Sequence, residues 1–220
     1  MTIKQVVMIS SATGPQSGKS TLADFLIKNA ERRWNSWNSA PYPRPCSFAE
    51  TLKLMVRPLL ERLLNTFAKE EIDAYLSGDK KEEPLPLIGV SSRFLMQKLG
   101  TEWRNLVDEQ LWTKLMLQQL DQMGCYEWAY MDFTMVVIDD LRFRHELTAV
   151  KTWCEVNGAK LWHIRVHRPA NNYTATHASE LAVFDEYEVD LHLYNDGTKE
   201  EFLAKLPERL QGIGLELKLK

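Results

Sequence analysis

The 220-residue sequence predicts an α/β fold built on a parallel sheet. Two features predict it. Short apolar runs rich in branched residues alternate with longer stretches whose apolar residues recur at helical spacing. The first such run also passes through a glycine-containing turn directly into the first helical stretch.

Val6 to Ile9 is a continuous apolar run, the pattern of a strand buried on both faces. Leu22, Phe25, Leu26, Asn29 and Ala30 then recur at helical spacing, until three prolines and two asparagines between Asn35 and Pro45 break the pattern. Cys46 to Phe48 reads as a short second strand. Leu52, Met55, Val56, Leu59 and Leu63 mark a helix expected to bend near Pro58. Asp79 to Pro86 reads as a solvated loop, and Ser91 to Leu99 and Leu111 to Met123 read as helices. Thr134 to Ile138 is a strand ending at Asp139 and Asp140. A helix through Leu147, Val150 and Cys154 stops near Gly158, Leu161 to Val166 is the fourth strand and Leu191 to Leu193 the fifth. A turn at Asn195-Asp196-Gly197 leads to a last helix through Phe202, Leu203 and Leu206. The tail alternates Leu215, Leu217 and Leu219 with charged residues, which suits a half-buried edge strand, a subunit contact that would leave a homodimer open, or a frayed end.

With 45% hydrophobic and 26% charged residues the chain can bury a full core, as one domain or one domain with a small insertion. A net charge of −3 and a pI near 6.0 give no general attraction to polyphosphate, so nucleic acid is not an expected partner. Cys46, Cys125 and Cys154 are odd in number and widely spaced, which excludes a disulfide framework and a structural zinc site and predicts buried thiols. No signal peptide is expected at the amino terminus, and no segment approaches the roughly 18 apolar residues of a membrane helix, so the expected location is the cytoplasm.

Thr13-Gly14-Pro15-Gln16-Ser17-Gly18-Lys19-Ser20 lies between the first strand and the first helix, the context in which a phosphate-binding loop works. Glycine lets successive amides converge on phosphate oxygens, the helix start adds partial positive charge, Lys19 reaches the β and γ phosphates of ATP, and the Ser20 hydroxyl can ligate Mg²⁺. Gly14, Ser17, Gly18, Lys19, Ser20 and Thr21 are the candidate nucleotide-binding residues. In G-x-x-x-x-G-K-[ST] the first glycine falls at position 13, where this chain has Thr13, with Gly14 one place later.

Asp139 and Asp140 end an apolar strand, where such enzymes place the carboxylate that serves Mg²⁺. Asp140 is the preferred candidate; one of the pair could instead cap the next helix. Phosphoryl transfer also needs arginines converging on the acceptor and the moving group. Arg142 lies two residues past Asp140. Arg93, Gln97 and Gly100 are spaced to share one helical face, with the glycine leaving room for a close approach. Arg165 and Arg168 flank the end of the fourth strand, before a polar stretch from Pro169 to Thr176 that could close as a lid. His145 and His177 are read as packing or capping residues, because an ionised phosphate acceptor needs no general base.

Arg93-Phe-Leu-Met-Gln-Lys-Leu-Gly-Thr101, Asp140-Leu-Arg-Phe-Arg-His-Glu146, Arg168-Pro169, Thr176-His177 with Glu180, and Asn195-Asp-Gly-Thr-Lys-Glu-Glu-Phe202 resemble the bacteriophage deoxynucleoside monophosphate kinases, in the same order over most of the chain. The resemblance implies a three-layer α/β/α fold with a five-stranded parallel sheet of order 2-3-1-4-5, in a single kinase domain. A helical acceptor-binding region would span about 48–125 and a lid about 169–180. It implies transfer of the γ-phosphoryl of ATP to a deoxynucleoside 5′-monophosphate, in the host cytoplasm if the gene is a phage's. Arg93 and Arg142 would hold the acceptor phosphate, Arg168 would belong to the lid, and Asn195 to Gly197 would lie near the adenine. Two other readings compete: a kinase acting on a hydroxymethylated base in phage DNA, which needs a general base and a basic groove, and a nucleotide-binding regulatory protein indifferent to any acceptor.

Overall fold

The computed structural model describes residues 3–14, 16–30, 43–125, 135–169, 184–215 and 217. Along the chain run β1 (Gln5–Ser11), α1 (Lys19–Asn29), β2 (Arg44–Cys46), α2 (Glu50–Leu64), α3 (Lys69–Leu76), α4 (Ser92–Leu106), α5 (Leu111–Cys125), β3 (Met135–Ile138), α6 (Arg144–Asn157), β4 (Lys160–His167), β5 (Leu191–Tyr194) and α7 (Lys199–Gly212). They form two compact units, one of Met1–Ser47 with Leu117–Lys220, the other of Phe48–Met116.

The first unit holds a five-stranded sheet of order β2-β3-β1-β4-β5. Every pairing is parallel, and the order is the expected 2-3-1-4-5. β1 is central because Val6, Val7, Met8 and Ile9 are apolar on both faces and all four are fully buried. Val7 and Ile9 pack with Leu22 and Leu26 of α1 and with Phe202, Leu206 and Leu210 of α7. Burying each of those large side chains contributes about 1.5–3 kcal/mol before chain entropy is counted. Alternation turns Val6, Met8, Val136 and Ile138 to the opposite face, where they are equally buried. α6 packs on β4 and buries Leu147, Val150 and Cys154. Cys46 and Cys154 are buried, and burial pushes the Cys154 thiol up to about 12, which keeps it unreactive.

β2 lies two residues earlier than the expected 46–48. Its Pro45 is tolerated because β2 is an edge strand, paired only with β3, so a missing N–H need not break a ladder. In the tail, Leu215 enters the core and Leu217 forms an antiparallel bridge with Ala30; Leu219 lies outside the described residues.

In the second unit Leu52, Val56, Leu60, Ile72, Tyr75, Leu76 and Leu85 form a separate core, with Leu95, Met96, Leu99 and Trp112 against it. α2 runs on through Pro58, which sits on its exposed side where the carbonyl that loses a partner can meet water. α3 and a 3-10 turn at Asp79–Glu82 have no counterpart among the expected elements; the turn falls where a loop was expected. α4 continues past Gly100 to Leu106. Leu52 would stand 3.3 Å from a Cβ at Gly100, and the Trp112 indole donates to the Gly100 carbonyl at 2.8 Å, so tertiary packing outweighs the weak helix propensity of glycine. Among the described residues no helix is long and apolar enough to cross a membrane.

Candidate nucleotide-binding site

The loop between β1 and α1 owes its shape to three residues in the left-handed region: Gly14 at φ 81°, Gln16 at 59° and Gly18 at 108°. The displaced glycine therefore supplies a turn that a branched residue would resist. Thr13 takes up a different task. Its hydroxyl accepts the backbone N–H of Arg168 at 3.0 Å, tying the loop to the end of β4, a bond glycine cannot make. Ser11 steadies the same turn, accepting from the Thr13 N–H at 3.2 Å and donating to the Gly14 carbonyl at 2.7 Å.

Asn195, buried at the end of β5, donates its side-chain amide to the Ser17 carbonyl at 2.9 Å, while its own N–H donates to the His167 carbonyl at 2.7 Å. A Cβ at Gly18 would stand 2.7 Å from the Asn195 amide nitrogen. Gly18 is thus required by its backbone conformation and by this close approach together. At Gly197 a Cβ would collide with the Glu201 carboxylate, which caps α7 by accepting the Thr198 N–H at 2.8 Å. Gly197 makes room for a helix cap.

Gln16, Ser17, Gly18, Lys19, Ser20, Thr21, Arg168, Asn195, Gly197, Lys199 and Phe202 line a cavity of about 410 Å³, within the range of roughly 300–1,000 Å³ usual for small-ligand sites. Of these, Gln16, Lys199 and Phe202 were not singled out from the sequence. Arg168, expected in a lid, donates to the Gln16 carbonyl at 2.9 Å. The Ser17 hydroxyl is buried without a hydrogen-bond partner among the described residues. An orphaned hydroxyl inside a curled, amide-rich loop beside Lys19 fits a polyphosphate, whose oxygens accept several donors at once.

β3 pairs with β1 so that Ile138 lies opposite Met8, which sets Asp139 and Asp140 at the same sheet edge as the loop. Asp140 accepts the Ser47 hydroxyl at 2.7 Å. The N-cap position of α6 is Phe143, the helix starts at Arg144, and Glu146 accepts the N–H groups of Arg142 and Phe143 at 2.9 Å each. Burial is the main force pushing the Glu146 carboxyl up to about 7, opposed by those two hydrogen bonds. Among the described residues no cluster of three or more His, Cys, Asp or Glu forms a metal site. Ser20 and Asp140 carry oxygen donors of the kind Mg²⁺ takes, an ion that needs few protein ligands because it keeps waters and binds phosphate oxygens.

Arg165 donates to the Phe184 carbonyl at 3.3 Å and lies over the Phe184 ring, so it is engaged in packing. His145 stacks on Phe143 with centroids 5.4 Å apart, as a packing histidine does. Arg93 and Gln97 lie on α4 in the second unit, where Arg93 pairs with Glu82 at 2.9 Å. The space at Gly100 is taken by Leu52 of the same unit, and the Gly100 carbonyl accepts from Trp112. His177, Glu180 and the lid expected about 169–180, apart from Pro169, lie outside the described residues. Arg144 binds Asp185, Glu188 at 2.7 Å and the Tyr187 hydroxyl at 2.8 Å.

Sheet order and loop together define a nucleotide-binding α/β fold of the P-loop type. The model of the family described as deoxynucleotide monophosphate kinase matches residues 68–206, more than half of the chain, and the chain belongs to that family. The match begins beyond the phosphate loop, so loop and family are independent observations. Two solved structures of the APS kinase CysC from Mycobacterium tuberculosis are similar over 96% of this chain and 99% of theirs, at 11% identity. One is a cysteine-to-alanine mutant, with a TM-score of 0.39, and the other a complex with AMPPNP and APS, with a TM-score of 0.45. No match is found among curated proteins.

Proposed function

We propose that the protein transfers the γ-phosphoryl group of ATP to a deoxynucleoside 5′-monophosphate, giving the diphosphate. The observation that carries this reading is the cavity at the loop, with Lys19 on its wall and the unpartnered Ser17 hydroxyl beside it, in a chain of this family. ATP supplies the phosphoryl group, and Mg²⁺, held through Ser20 and Asp140, neutralises charge on its oxygens.

The chain's own residues do the rest. The loop amides and Lys19 bind and orient the polyphosphate, and positioning of this kind is most of what phosphoryl transfer asks of a protein. Arg168, already at the loop, neutralises charge on the transferred group. Arg93, Gln97 and Arg142 are assigned to the acceptor, and the helical region about 48–125 to its base. The acceptor phosphate is ionised near neutral pH, so no residue is assigned as a general base.

Direct detection of diphosphate product across the four dNMPs and common modified ones tests this. At least one should be turned over, and none in a folded sample that binds ATP overturns the reading. Lys19→Ala should lower turnover by about 10³-fold or more, as loss of a main electrostatic contact does, with an unchanged circular dichroism spectrum.

A further inference from the structure

We propose that Glu146 is a positioning residue, which by holding the backbone of residues 142 and 143 directs Arg142 to the acceptor phosphate. The inference rests on the kinase reading above. Residues 139–143 follow β3 without joining any strand or helix, so their backbone donors need partners from elsewhere in the fold. One oxygen of Glu146, Oε2, accepts the N–H groups of both Arg142 and Phe143 at 2.9 Å. An ordinary capping box satisfies only the N–H of the capping residue, here Phe143. The second bond reaches one residue upstream, to Arg142 itself.

α7 provides an internal comparison. Its Glu201 holds the equivalent third helical position and accepts the Thr198 N–H, but it is exposed. Glu146 is only 5% exposed. Burying a carboxylate is costly, and a surface cap like that of α7 would have served the helix alone. The charges of Asp140 and Arg142 are both felt at Glu146, so the first turn of α6 brings its carboxylate close to the strand-end turn that presents those two residues. Arg142 is itself exposed, with its backbone anchored from below and its side chain on the surface.

The test compares Glu146→Gln, Glu146→Ala and Glu146→Asp in the full-length protein, using whichever dNMP the wild type phosphorylates. Glutamine can place a carbonyl oxygen where Oε2 lies and accept both N–H groups, whereas alanine cannot and aspartate is one methylene too short. Alanine and aspartate should raise KM for the dNMP roughly tenfold or more and leave KM for ATP within about twofold, while glutamine stays within about threefold of wild type. Hydrogen exchange should quicken at the Arg142 and Phe143 amides in Glu146→Ala and remain slow in Glu146→Gln. If alanine does not fold, the aspartate and glutamine pair carries the comparison. Equal rises in both KM values, an unchanged dNMP KM in both shortened variants, or glutamine as impaired as alanine would each overturn the proposal while leaving the kinase reading intact. A wild type that phosphorylates no dNMP removes the kinase reading and this inference with it.

Discussion

His163 on β4 is 1% exposed and joins three parts of the first unit. Its Nδ1 lies 2.6 Å from the Glu188 carbonyl, which can only accept, so Nδ1 carries the proton and Nε2 accepts the Ser10 hydroxyl at 2.7 Å. Burial pushes its pKa down from 6.5 to about 4, more strongly than the Glu188 bond and the Asp190 charge raise it. Between those values the unfolded chain takes up a proton that the folded ring refuses. The neutral histidine therefore supports folding fully above about pH 6.5, and this support is lost as pH falls towards 4. Glu146 acts in the opposite sense, because a buried acid with a raised pKa favours the folded state more as pH falls. The clean measurement is thus the stability difference between wild type and His163→Gln, by urea unfolding. It should shift by up to about 2 kcal/mol in the variant's favour between pH 6.5 and pH 5, and a constant difference would count against a neutral buried ring.

At the scale of elements, the loops and helix starts decide the site. α7 begins with a reciprocal cap in which Thr198 accepts the Glu201 N–H at 3.2 Å and Glu201 accepts the Thr198 N–H. That cap sets the first turn, whose Lys199 and Phe202 line the cavity. Thr198→Ala should cost about 1 kcal/mol of stability and Thr198→Ser very little, as thermal unfolding would show. The Thr-x-x-Glu pattern is visible in the sequence, so this helix start could have been read there. Burial of the equivalent Glu146 could not, because nothing in a string of residues distinguishes an exposed third helical position from a covered one. α3 escaped notice for a related reason: Ile72, Tyr75 and Leu76 supply barely one turn of apolar spacing, and it is their shared core with α2 that makes the helix.

For the molecule as a whole, nucleotide binding should be coupled to stability. ATP with Mg²⁺ at about 100 times its dissociation constant should add about 2.7 kcal/mol to the unfolding free energy. In a chain of this size that raises Tm by roughly 5–10 °C. Lys19→Ala should show a much smaller rise at the same concentrations, and an equal rise would place the nucleotide elsewhere. The sequence by itself determined the alternation of strands and helices, the strand-loop-helix around Gly18-Lys19-Ser20 and the aspartates ending β3, because periodicity and turn chemistry are local properties. Sheet order came into view from the sequence only through family resemblance. Tertiary structure alone decided the long-range contacts: Thr13 fastened to Arg168, Asn195 holding Ser17 and making Gly18 obligatory, Arg165 turned to Phe184. These join residues more than 150 positions apart at the loop and 19 apart at Arg165. The physical reason is that a hydrogen bond or a steric limit belongs to a pair of positions in space, and folding brings that pair together.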